Sequence, residues 1–300
     1  MWFRNLRLYR IAPDWAMTTS RLDEILAGQP LQRCGAMDMQ SRGWVPPRPD
    51  SGFVHEVNGQ WLLALGVEKK LLPASVVRQV TQERAAGIEA EQDRKVGRKE
   101  LRDLRERVTE ELLPRAFSSR RTTWGWIAPR QGWLVVDAGS DAKADEFLEA
   151  LLHGVGPMPL TPLKTRLSPA TAMTEWLASG EAPAGFTVDR DLELRSAAQA
   201  QAAIRYVHHA LEGEEIRQHI GNGKLATRLG MTWADRISFV LTEKLQIKRL
   251  AFLDILKEEA EQAAEDAVMQ FDVDFALMAG ELVRMFDDLM ECLGGEMVQE

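Results

Sequence analysis

Helical and strand periodicities follow one another along this chain without a regular βα alternation. A helical hairpin is predicted over residues 74–113, followed by a β-hairpin of residues 121–127 and 132–137. Residues 233–242 and 246–252 are predicted to form paired antiparallel strands ahead of a helical end. A doubly wound sheet needs strands and helices in alternation. The pattern therefore predicts the α+β class.

The predicted helical hairpin carries a basic edge. Pro73 opens its first helix, Gly97 weakens the pattern, and Pro114 ends the second helix. Apolar residues of the second helix recur at helical spacing at Leu101, Leu104, Val108 and Leu112. One flank of that stripe holds Arg98, Arg102 and Arg105.

Positive and negative charges are unevenly distributed along the chain. The net charge is −8, yet residues 1–130 hold 22 Lys/Arg against 16 Asp/Glu, and residues 131–300 hold 15 against 29. The basic excess is concentrated in residues 94–121, with ten basic and five acidic residues. An acidic protein with a confined basic stretch can bind a polyanion on one surface while its other surfaces repel it. This indicates a nucleic acid, with an ordinary solvated helix face as the alternative.

Composition excludes several other classes. An apolar content of 45% supports a sizeable core, and no stretch approaches the roughly 20 apolar residues of a membrane span. Residues 1–10 lack the long apolar run of a signal peptide. Cys34 and Cys292 are too few for a disulfide framework or a structural zinc site. We expect a cytoplasmic protein without membrane contact, metal or cofactor.

Catalytic and phosphate-binding motifs are weak. Residues 219–225 (HIGNGKL) resemble a phosphate loop, but Gln218 and Leu225 stand where Gly and Ser/Thr are required, so a tight turn is predicted. His208 and His209 are adjacent and point in different directions on a helix or a strand, which disfavours a metal pair. No Ser-His-Asp, Cys-His or H-E-x-x-H pattern is visible.

Two further features have alternative interpretations. Asp272 and Asp274 would share one face of a strand and could hold Mg²⁺ as in a nuclease, or one of them could cap the final helix. Trp124, Trp126 and Trp133 could stack on bases, but packing of aromatic pairs against a core is commoner.

Several strings, in order, resemble one family. They are WFRNLRLYR (2–10), GWVPP (43–47), LLPRAFS (112–118), TEWLASG (174–180) and FDVDFALMAGEL (271–282). Together they resemble the bacterial RdgC family of recombination-associated proteins over almost the whole chain. The resemblance implies a nucleoid-associated, non-enzymatic protein that binds double-stranded DNA with little sequence preference. It also implies limited access of the recombinase RecA to DNA.

The resemblance implies an architecture as well. Family subunits are horseshoe-shaped and pair as a homodimeric ring around duplex DNA, and the Phe of LLPRAFS, here Phe117, lies at a subunit contact. We assign residues 1–73 and 114–160 to a central region, 74–113 to a tip and 161–300 to a base. A helical hairpin of 15–20 residues per helix would reach roughly 22–30 Å, enough to help enclose a duplex.

The predicted phosphate contacts are Arg4, Arg98, Lys99, Arg102, Arg115, Arg120, Arg121 and Arg205. For each of them the alternative is a surface salt bridge, such as Arg102 with Glu106. Relatives tend to supply Lys toward DNA near residues 204–211, where this chain has Arg205, His208 and His209. Two other functions remain open: a Mg²⁺-dependent nuclease using Asp272 and Asp274, and a protein-only inhibitor that binds RecA through its acidic surface.

Overall fold

The computed structural model describes residues 1–196, 202–211, 213–264 and 266–297. The strands are β1 (Leu6–Ile11), β2 (Gln40–Val45), β3 (Val54–Val57), β4 (Gln60–Lys70), β5 (Ser118–Ala128), β6 (Trp133–Asp137), β7 (Leu160–Pro162), β8 (Phe186–Ser196), β9 (Ala203–Tyr206), β10 (Lys224–Trp233), β11 (Ile237–Thr242) and β12 (Ile247–Phe252). The helices are α1 (Thr19–Ala27), α2 (Ala74–Gln92), α3 (Arg98–Leu112), α4 (Asp141–Val155), α5 (Pro169–Ser179), α6 (Glu214–Gly221), α7 (Asp254–Ala263) and α8 (Ala267–Cys292). The α+β class predicted from the sequence is confirmed.

All the strands join one 12-stranded sheet in the order β2-β4-β5-β6-β1-β12-β11-β10-β8-β9, with β3 on β4 and β7 on β1. Every ladder is antiparallel. The two halves of the sheet meet at β1. One edge of β1 pairs with β6, and the other is shared by β12, through Leu6 and Ile247, and by β7. The N-terminal strand is therefore the central seam of the sheet.

The strands of the first half are covered on both faces. Leu63, Ile127 and Leu134 point to a core closed by α1 and α4. Trp126 and Trp133 point to the opposite face, where both rings contact Phe286 of α8. The prediction that the three tryptophans belong to a core is confirmed for Trp126 and Trp133, which are fully buried, while Trp124 is partly buried and packs against the same core.

The strands of the second half are covered on one face. Their apolar side chains, among them Leu229, Phe239 and Leu250, pack into the core that α5, α6, α7 and α8 close. The polar side chains of β8, β10, β11 and β12 point away from that core. Among the described residues, no helix of this half packs on that second face.

The helices α2 and α3 form a hairpin inserted between the neighbouring strands β4 and β5. Their contact buries Val77, Ala85 and Val108, close to the boundaries expected from Pro73 and Pro114. The backbone N–H of Leu71 donates to the carbonyl of Phe117 at 2.6 Å and closes the base of the hairpin.

Several local predictions were wrong. Residues 43–45, which precede the prolines of the GWVPP string, lie in β2, a strand that was not predicted from the sequence. Strand β10 was missed, and Trp233 ends it instead of opening β11. The helical end consists of α7, which ends at Ala263, and α8, whose N-cap residue Asp266 accepts from the backbone N–H of Met269. None of the described helices is long and apolar enough to cross a membrane.

Candidate nucleic-acid interface

The uncovered face of the second half-sheet carries a cluster of cationic side chains. We call it the open sheet face, and its cations are Arg195, Arg205, Arg228, Lys248 and Arg249. They come from β8, β9, β10 and β12, so the sheet itself fixes their spacing. Two shallow cavities of about 460 and 240 Å³ lie on this face. The surface is broad and open, which suits an extended polyanion better than a small molecule.

Glu193 lies at the centre of this cluster and is only 2% exposed. Its strand places it directly opposite Arg205 on β9 and Arg228 on β10. One carboxylate oxygen accepts from Arg195 Nε at 2.9 Å and from Thr227 Oγ1 at 3.1 Å. The other accepts from Arg205 Nη2 at 2.6 Å and lies 4.0 Å from Arg228 Nη1. One buried carboxylate thus organises three arginines.

Burial alone would raise the pKa of Glu193, but Arg205, Thr227, Arg228 and Arg195 together outweigh burial and lower it. The carboxylate is therefore ionised at neutral pH. The three arginines keep about half of their side-chain surface exposed. Each can touch Glu193 along one edge and still offer N–H groups to an anion along another.

The helical hairpin is the second basic region. Three of its arginines are neutralised by acids of the hairpin, in the pairs Arg84–Glu111, Arg94–Glu100 and Arg102–Glu106. Other cations of the hairpin and its return to β5 are exposed and have no ion-pair partner within the described ranges. These hairpin cations are Arg78, Lys95, Arg98, Lys99, Arg105, Arg107 and Arg115.

The eight predicted contacts do not converge on one site. Arg98, Lys99 and Arg115 are hairpin cations, whereas Arg102 is paired with Glu106, the alternative considered for it. Arg205 belongs to the open sheet face, and Arg4 precedes β1, where its carbonyl accepts from Leu250.

Arg120 and Arg121 are successive residues of β5, so they point to opposite faces of the sheet. Arg120 pairs with Glu68 at 2.7 Å and Arg121 with Glu146 at 2.5 Å. The structure adds Arg195, Arg228, Lys248 and Arg249 as candidates that sequence reasoning missed. The alternation of apolar and polar residues over 186–195 (FTVDRDLELR) is a sequence signal that could have pointed to Arg195.

The two carboxylates considered for a Mg²⁺ site do not lie on one face, as such a site would require. Asp272 and Asp274 lie within α8, where side chains two residues apart diverge by about 200°. Asp272 accepts from Arg48 at 3.0 Å and contacts His55 Nε2 at 2.7 Å, while Asp274 pairs with the amino group of Met1 and with Gln270. Neither caps the helix. No group of three potential metal ligands lies together in the described part of the chain.

Comparison with known proteins gives the family. A family model described as "Putative exonuclease, RdgC" matches residues 1–296. The chain belongs to the RdgC family. It is 55% identical to the "Recombination-associated protein RdgC" of Dechloromonas aromatica over 302 residues, covering 100% of this chain and 99% of that protein. It is 52% identical to the protein of that name from Herminiimonas arsenicoxydans, covering all of both chains, and 49% identical to that of Bordetella pertussis, covering 99% of each.

In this RdgC-family chain, Phe117 is 84% exposed and is not a core residue. It lies at the base of the hairpin, where the exposed side chain of Leu71 follows β4 and the carbonyl of Met39 accepts from Lys70. Backbone hydrogen bonds from Lys70 to Met39 and from Leu71 to Phe117 bring the exposed residues Met39, Leu71 and Phe117 to the same end of the sheet, and we call these three residues the Phe117 patch. Such a group is typical of a surface that contacts another protein.

The two adjacent histidines have separate surroundings. His208 adopts a left-handed backbone conformation with φ of 52°, and its N–H donates to Asp191 at 3.1 Å. The ring of His209 packs near Tyr206, with 5.3 Å between centroids. His208 lines the cavity of about 460 Å³ on the open sheet face, whereas His209 does not line that cavity.

Proposed function

We propose that this RdgC-family protein binds double-stranded DNA through its backbone phosphates, without sequence preference and without catalysis. The open sheet face carries the proposal, because it presents a group of cations on an otherwise acidic protein, and no helix of the second half packs on it in the described part of the chain. The hairpin cations extend the basic surface. Phosphate contacts of this kind position a protein on DNA without reading its sequence.

The proposal includes the assembly. Two subunits form a ring around the duplex, closed at one contact by the Phe117 patch, and the occupied DNA is less accessible to RecA. Support comes from the exposure of Phe117, from the hairpin beside it, and from relatives whose printed name is recombination-associated protein. A nucleoid location follows from the proposed DNA binding.

Neutralising the open sheet face tests the proposal. The variant combines Arg195→Gln, Arg205→Gln and Arg228→Gln. We expect its affinity for a fluorescent duplex to fall by at least about 100-fold, because three charge-assisted phosphate contacts are lost. Fluorescence anisotropy at fixed salt measures the affinity. The matched control combines Arg21→Gln, Arg166→Gln and Lys257→Gln and should lose less than about threefold.

An unchanged affinity of the sheet variant would exclude this surface. A sheet variant that no longer binds DNA but still blocks RecA would favour the protein-only inhibitor. Incubating the wild type with plasmid and Mg²⁺ or Mn²⁺ tests catalysis. Nicking abolished by Asp272→Ala with Asp274→Ala would overturn that part of the proposal.

Two acids of the same region allow a sharper test. Glu193→Gln and Glu243→Gln each remove one negative charge, but Glu243 is exposed and has no ion-pair partner among the described residues. We expect Glu243→Gln to tighten duplex binding about twofold by reducing repulsion, and Glu193→Gln to weaken it about tenfold, because three arginines lose their anchor. If both variants bound the duplex more tightly to the same extent, Glu193 would act only as a negative charge that repels DNA and would not position the arginines. Melting temperatures check that both fold.

A further inference from the structure

A cavity of about 360 Å³ lies where β1, β10 and β12 meet the N-terminus of α4. It borders the open sheet face and is lined by more cations than acids. The cations are Arg7, Arg195, Arg228, Lys244 and Lys248. The acids are Asp141, Glu193 and Glu243. With five cations against three acids, the lining carries an excess of positive charge.

Arg7 is the most informative residue of this cavity. It is only 6% exposed, and its Nη2 pairs with Asp141 at 3.1 Å. Its Nε and Nη1 are buried and have no hydrogen-bond partner among the described residues. A buried charged donor without an acceptor is costly to the folded state. An anion in the cavity would supply the missing acceptor.

The N-terminus of α4 faces the same cavity through Gly139, Ser140 and Asp141. Ser140 is the N-cap residue, but its side chain accepts no capping hydrogen bond. The first turn of a helix offers free N–H groups and the positive end of the helix dipole, which favour phosphate. Asp141, in that turn, already accepts from Gln246 Nε2 at 3.1 Å as well as from Arg7.

The pKa of Lys248 reflects the positive charge that surrounds it. Burial, and then the positive charges of Arg7 and Arg228, lower its pKa below the ordinary lysine value. Its Nζ donates to the carbonyl of Gly139 at 3.0 Å, which fixes the ammonium beside the start of α4. A group of cations that disfavour one another's charge gains from a bound anion.

We propose that this cavity is a phosphate site, formed by Arg7, Lys248 and the first turn of α4. The proposal deepens the proposed function, since a backbone phosphate of bound DNA is the expected occupant. Free phosphate compounds share the same chemistry, so the experiment separates the two sources.

The probe is inorganic pyrophosphate, and the readout is the melting temperature of the full chain. At about ten times its Kd, we expect pyrophosphate to raise the melting temperature of the wild type by roughly 2–4 °C. Lys248→Gln, which changes a half-buried residue, should abolish the shift. Lys248→Arg should keep it, and Lys257→Gln, on the surface of α7, is the control. Arg7→Gln should also abolish the shift if it folds.

Competition with a fluorescent duplex identifies the source. Two results together support a DNA phosphate as occupant. Pyrophosphate displaces the duplex from the wild type, and Lys248→Gln binds the duplex about tenfold more weakly. A thermal shift without competition supports a phosphate site for a free compound. No shift in the wild type, together with unchanged duplex affinity of Lys248→Gln, overturns the proposal. If the sheet variant keeps the duplex affinity of the wild type, and pyrophosphate still raises the melting temperature of the wild type, the proposed DNA surface fails while the phosphate site stands.

Discussion

Raising the salt concentration should weaken duplex binding more than any single substitution. If about 6–10 phosphates are neutralised, log K should fall against log salt with a slope near −5 to −9, a loss of roughly 10³–10⁵ in affinity between about 50 and 200 mM. The open sheet face and the hairpin cations together offer enough exposed groups for this number of contacts. Anisotropy titrations at four or more salt concentrations give the slope.

Duplexes of equal length and different base composition are the control for sequence preference. Their slopes and affinities should agree, because phosphates carry no sequence information. A slope near −1, or a strong preference for one duplex, would contradict binding through many phosphates. The sheet variant with Arg195→Gln, Arg205→Gln and Arg228→Gln should lower the magnitude of the slope by about 2–3.

The second large effect concerns ring closure. We expect Phe117→Ala to weaken self-association by about 2–4 kcal/mol, or roughly 30–1000-fold, because an exposed aromatic anchor is lost from an interface. The melting temperature of the subunit should change little, since Phe117 is 84% exposed. Sedimentation across a concentration series measures the association. Leu152→Ala, at an exposed apolar residue of α4, is the matched control.

DNA topology separates a ring from an open cleft. Linear duplex can leave a ring by sliding off an end, whereas a closed circle is released only when a contact opens. The wild type should therefore dissociate more slowly from circles than from short linear duplexes. Phe117→Ala should shorten the lifetime on circles more than that on linear DNA. Equal wild-type lifetimes, unaffected by Phe117→Ala, would indicate a cleft.

The sequence predicts this fold best where strong local signals mark the chain. Pro73, Gly97 and Pro114 define the hairpin, whose helices end within two residues of the prediction. The alternation around Trp126 and Trp133 places both tryptophans in the core, as observed. Secondary-structure propensity and hydrophobic periodicity are properties of short segments, so a single sequence is enough to recognise them.

Strand β10 shows why other parts could not be predicted. Its pairing with β8 shifts register between Ala226 and Arg228 and again between Leu229 and Met231. Each irregularity reverses the face to which later side chains point, so no regular alternation marks the strand. Arg228 consequently shows no sequence signal for the open sheet face.

The candidate site was predictable only in part, because some of the basic residues form salt bridges within the protein and others do not. The pair Arg102–Glu106 is four residues apart on a helix and could be expected from spacing. The pair Arg120–Glu68 needs the register of β4 and β5, which one sequence does not provide. A basic stretch therefore overstates the charge that is free to bind DNA.

The position of α8 late in the chain also affects how the protein folds during its synthesis. The apolar face formed by Trp126 and Trp133 is closed by Phe286, which a ribosome reaches about 150 residues later. At about 5–20 residues per second, that face stays exposed for roughly 8–30 s of translation. Nascent chains on one messenger are crowded, and exposed apolar strands aggregate. The yield of soluble protein in cells should thus depend on chaperone capacity during synthesis, and slower growth at low temperature should raise it.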